Sequence, residues 1–78
     1  MKKTQPATAR GIKVTPQSLI LIMEDRQLEI AWEKCSPRLA AATEKERLAA
    51  ELSPGGYGIH WPLIDEDLSV NGLVRDAS

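Results

Sequence analysis

The stretch from Ser18 to Trp32, SLILIMEDRQLEIAW, constrains the fold more than any other. Apolar residues alternate on either side of a polar centre, the pattern of two half-buried strands joined by a turn. Turning at Asp25-Arg26 pairs Met23 with Leu28, Leu21 with Ile30 and Leu19 with Trp32. Side chains alternate across a strand, so all six share one face. A slip of one residue would send the whole set to the other face, which makes the pairing tightly specified. The turn lacks Asn-Gly or Asp-Gly, and Arg26 would be uncomfortable at positive φ. A wider loop over Glu24 to Gln27 is therefore expected.

The reverse face of this hairpin carries Ile20 and Ile22 against Ala31 and Glu29. A simple two-layer domain has no use for apolar residues there, so a strand, a helix or a second copy should cover them. A chain of 78 residues buries only about 60–65% of its unfolded surface and often gains stability by oligomerising. Ile20 and Ile22 are the candidate self-association residues, and a homodimer or higher homo-oligomer is expected.

A short strand over Gly11 to Val14 precedes the hairpin, and residues 1–10 read as a flexible basic tail outside a single domain of residues 11–78. After it the period becomes helical. Ser36 then Pro37 is a helix start, a capping hydroxyl followed by proline, for a short helix Pro37 to Ala42. Thr43 to Glu46 matches a capping box and opens a second helix, Glu44 to Leu52, with Leu48 and Leu52 facing the sheet. One helix running through Thr43 is the alternative. Ser53 to Gly56, SPGG, ends the helix. Tyr57 to Trp61 is a strand with Tyr57, Ile59 and Trp61 on one face and His60 on the other, and Pro62 stops its pairing. Ser69 caps a last helix through Val70, Leu73 and Val74. The fold class is α+β: a small antiparallel sheet of three or four strands with two or three short helices.

With 42% hydrophobic and 27% charged residues and a net charge of -1, the chain offers no broad electrostatic case for nucleic acid or an anionic membrane. Lys2, Lys3, Arg10 and Lys13 nonetheless gather in the first residues without an acid. A nucleic-acid-binding accessory role through that tail, weak and salt-dependent, is the alternative reading. The longest apolar run, Leu19 to Met23, is too short to span a bilayer, and no apolar run follows the basic start as in a secretory signal. Cys35 stands alone, which excludes an internal disulfide and fits a reducing compartment. A cytoplasmic location is expected.

Gly58 to Val70, GIHWPLIDEDLSV, holds the single histidine and three consecutive acids. It is under-equipped as a reaction centre. A metal needs three or four matched ligands. His60 as base for Ser69 lacks a Gly-x-Ser-x-Gly elbow, and a carboxylate pair needs a deep cleft. No metal or other cofactor is expected. The structural reading buries Ile59 and Trp61 and lets His60 bond a neighbouring acid or carbonyl. Asp65 and Asp67 would cap the turn and the following helix. The segment is thus a clasp first, and second a candidate binding surface of His60, Trp61, Asp65, Glu66 and Asp67.

Pro37, Arg38, Leu39, Ala42 and Thr43, then Gly58 to Pro62, Asp65 to Ser69, Gly72 and Leu73 form a combined pattern. It resembles a family of small bacterial proteins known as domain of unknown function 2442, over about residues 18 to 75. That family usually turns its hairpin with Asp-Gly-Arg, where this chain has Asp25-Arg26-Gln27. The resemblance implies an α+β fold and no enzyme activity. Some relatives are fused to a helix-turn-helix module, absent from these residues, and others sit beside small genes in toxin–antitoxin-like pairs. The expected role is a non-enzymatic protein-interaction or regulatory module, in its specific form the antitoxin-like member of a small gene pair with a small protein partner. A small enzyme centred on His60 ranks last.

Overall fold

A computed structural model describes residues 7–77. Two separate three-stranded antiparallel sheets form, where a single sheet of three or four strands was expected. The first holds β1 (Gly11–Val14), β2 (Ser18–Ile22) and β3 (Gln27–Ala31), with β2 in the middle. The second holds β4 (Glu51–Leu52), β5 (Gly58–Trp61) and β6 (Glu66–Ser69), with β5 in the middle. The described residues also form helices α1 (Trp32–Cys35), α2 (Pro37–Ala40), α3 (Glu44–Leu48) and α4 (Val70–Ala77). The class is α+β.

The hairpin forms, but its register lies two residues from the expected one. Leu19 faces Ile30 and Leu21 faces Leu28. The turn decides this. Met23 N–H donates to the Arg26 carbonyl at 2.8 Å, closing a two-residue turn over Glu24-Asp25 in place of the wider loop. Neither turn residue has positive φ, so no glycine is needed. A shift of two preserves side-chain direction, since the period is two. Leu19, Leu21 and Ile30 are buried as expected, while Met23 and Leu28 pack partly buried against them. Trp32 leaves the ladder and opens α1, where its ring is buried and its Nε1–H donates to the Thr15 carbonyl at 3.0 Å.

The local start signals are present. Ser36 Oγ accepts from Leu39 N–H at 3.1 Å, and Thr43 and Glu46 bond each other's backbone in a capping box. The helices end sooner than expected: α2 stops at Ala40, and α3 at Leu48 because Glu51 and Leu52 pair with β5. Leu48 is 59% exposed and does not face a sheet. Ser53 to Gly56 follows β4 instead of ending a helix, with Pro54–Gly56 as a 3-10 turn. Tyr57 lies before β5 and is 55% exposed, outside the strand face assigned to it.

Buried residues from both sheets and three helices form one core. Trp32, at the end of the first sheet, meets Trp61, on β5, edge to face at 6.4 Å between ring centres. Arg47 bridges the same region. Its guanidinium lies 5.1 Å above the Trp32 ring and donates to the Leu39 and Ala40 carbonyls at 3.0 Å each. Its own carbonyl accepts from Trp61 Nε1–H at 3.2 Å. A planar cation with several donors can close the end of α2 and stack on an indole at once.

Of the supposed tail, residues 1–6 lie outside the described residues. Ala7 to Arg10 do not hang loose. Ala9 is buried, its N–H donating to the Gly56 carbonyl at 2.8 Å, and Ala7 N–H donates to Asn71 Oδ1 at 3.1 Å.

Candidate functional site

β5 and β6 form a hairpin whose register sets Gly58 against Ser69, Ile59 against Leu68, His60 against Asp67 and Trp61 against Glu66. Alternation sends Ile59 and Trp61 into the core, where both are buried. Trp61 therefore belongs to the interior and not to a binding surface. His60 takes the other face, between Glu51 on β4 and Asp67 on β6. The row Glu51–His60–Asp67 crosses all three strands.

The Asp67 carboxylate accepts from His60 Nδ1–H at 2.8 Å. That bond selects the ring's tautomer and orientation and leaves Nε2 as its second polar atom. The side chains are 40% and 75% exposed. Asp67 thus bonds the histidine and caps no helix. Asp65 occupies the β5–β6 turn at φ 52, a left-handed position that aspartate tolerates. The start of α4 is capped by Ser69, whose Oγ accepts from Gly72 N–H at 2.8 Å. Glu66 opens β6 and is half-buried.

Beside the row, Gly58 has no side chain, and a hollow of ≈ 240 Å³ opens there. Leu52, Pro54, Ile59 and Leu68 line it, with His60 and Asp67 at its rim. The Ser53 hydroxyl is occupied in the structure, accepting from Gly58 N–H at 3.0 Å. Both hydroxyls next to the row thus accept from backbone N–H groups. Among the described residues no three His, Cys, Asp or Glu side chains come together in a group that could hold a metal ion. Cys35 and Asp67 line a second shallow hollow together with Ser69 and Gly72. Burial, the largest influence, pushes the Cys35 thiol up from 9.0 to about 11, against the opposing charge of Arg47 and with a smaller push from Glu33. Such a thiol stays protonated and unreactive at neutral pH.

The sequence offered His60 an acid or a carbonyl without choosing Asp67, and the place of Glu51 was not legible at all. Glu51 follows an alanine-rich run that reads as helix, and only pairing with β5 brings it beside His60. The bond from Arg38 Nη1 to the Ile64 carbonyl at 3.1 Å, which ties α2 to the β5–β6 turn, also had no local signal.

The family described as protein of unknown function (DUF2442) matches residues 9–78. The chain belongs to this family. The match takes in both sheets and the His60–Asp67 hairpin. A crystal structure of a protein of unknown function from Rhodospirillum rubrum ATCC 11170, at 2.75 Å resolution, has a similar fold. It superposes with a TM-score of 0.79 at 24% sequence identity, covering 91% of this chain and 88% of that one. No curated protein matches the chain. No helix among the described residues is long and apolar enough to cross a membrane.

Proposed function

We propose that the domain binds a protein partner through the outer face of its second sheet and catalyses no reaction there. The observation that carries this reading is the exposure of the His60–Asp67 pair, 40% and 75%, on an open strand row. Reaction centres gain most of their rate from fixed dipoles in a water-excluded site, and an open row excludes no water. Recognition asks for something else: polar groups held in fixed geometry at the edge of an apolar hollow. The Asp67 bond fixes the imidazole, and the hollow beside it is lined by Leu52, Pro54 and Leu68. Regulation of that partner by occlusion, as an antitoxin-like protein acts, is the specific form of the role. The single, protonated thiol of Cys35 is in keeping with a reducing, cytoplasmic setting.

Affinity capture with the intact chain tests this. The wild type and an Arg26→Glu variant, altered at the exposed hairpin turn, should retain the same protein, and Asp67→Lys should lose it. Retention by Asp67→Lys would overturn the surface. Turnover of an ester or phosphoester that disappears in His60→Ala would replace binding by catalysis.

A further inference from the structure

The outer face of the first sheet has a self-complementary layout. Register places Lys13, Ile20 and Glu29 in one cross-strand row and Gly11, Ile22 and Gln27 in the next. A stripe of two isoleucines thus runs along the middle strand, with a cation on the β1 side and an anion on the β3 side. Lys13 and Glu29 are exposed, and Ile20 and Ile22 are half-buried without joining the hydrophobic residues packed on the core. β1 lies beside β2 and does not fold over this stripe. Glu29 is held in place, its Oε2 accepting from Ser18 Oγ–H at 2.6 Å. Gly11 adds no bulk at the corner of the face.

We propose that this face packs against the same face of a second copy, about a two-fold axis running along β2. The strands of the two copies then run in the same direction, with β1 of each over β3 of the other. Ile20 and Ile22 meet their own counterparts, and Lys13 of each copy meets Glu29 of the other. A two-fold axis running across the strands would lay β1 over β1 and give these charges no opposite partner. Isologous pairing repeats every contact twice, so the two ion pairs choose the orientation while the isoleucines supply the buried surface. This interface is separate from the partner surface proposed above, since the two faces belong to different sheets.

Charge exchange tests the geometry. Lys13→Glu and Glu29→Lys each set like charges together at both symmetric positions, and each alone should weaken self-association about tenfold per pair. Mixing the two variants restores opposite charges at both positions, so an equimolar mixture should recover the dimer in sedimentation velocity. Circular dichroism of each variant confirms that it is folded, and the mixture supplies the readout that a misfolded variant could not rescue. A monomeric wild type, single variants that dimerise like the wild type, or a mixture that stays monomeric would each overturn the proposal.

Discussion

Gly56 shows how far one residue can decide the path of the chain. It sits at φ 77, and a Cβ there would run into the Ala9 backbone, whose N–H donates to the Gly56 carbonyl. Gly56→Ala should therefore cost about 2 kcal/mol or more in urea unfolding, from positive φ and lost contact together. Cys35 gives a chemical readout of burial. With its thiol raised to about 11, alkylation near pH 8 should run about a hundredfold slower than for an ordinary cysteine, in proportion to thiolate. The linkage has a definite sign. Folding favours the neutral thiol, so this contribution is complete below pH 9 and fades as pH climbs towards 11. Ser36 and Thr43 were legible as caps because the bond that makes a cap spans three residues. Arg47 was not, since its partners lie on α2 and on the Trp32 and Trp61 rings, brought near only by folding.

At the scale of elements, the alternation in Ser18 to Trp32 revealed which side chains are buried but not their pairing. Period two survives any even shift, and the turn at Glu24-Asp25 then picks one. Leu21 and Ile30 are buried in the register observed. Replacing either by Ala should cost about 2–5 kcal/mol, read from denaturant midpoints, because the core cannot fully close around the void. β4 and β6 were hidden for different reasons. Glu51 and Leu52 follow helix-favouring residues, and Glu66 to Ser69 carry too much charge to read as strand. Each is extended because β5 offers it a partner, a long-range effect that overrides local preference.

For the whole molecule, two short sheets share one core, and Trp32 against Trp61 is where they join. A three-stranded sheet with one solvated face is a common antiparallel arrangement, but here it occurs twice. The domain consequently presents two outer faces of different character: one with an isoleucine stripe, the other with the Glu51–His60–Asp67 row. The candidate site was half legible. The burial of Trp61 and a polar partner for His60 could be foreseen, whereas the choice of Asp67 and the place of Glu51 depend on which strands pair. Whether the His60–Asp67 pair serves recognition or holds the fold together is the central question, and energetics separates the two. An exposed pair contributes about 0–1 kcal/mol, because water screens it and ordering two side chains opposes it. The direct measurement is denaturant unfolding of His60→Ala and of Asp67→Ala, each alone, against the wild type. A loss below about 1 kcal/mol is the result predicted for a recognition surface on an independent scaffold. A loss of about 3 kcal/mol or more, the range of a broken buried pair, would contradict it and make the pair a structural clasp.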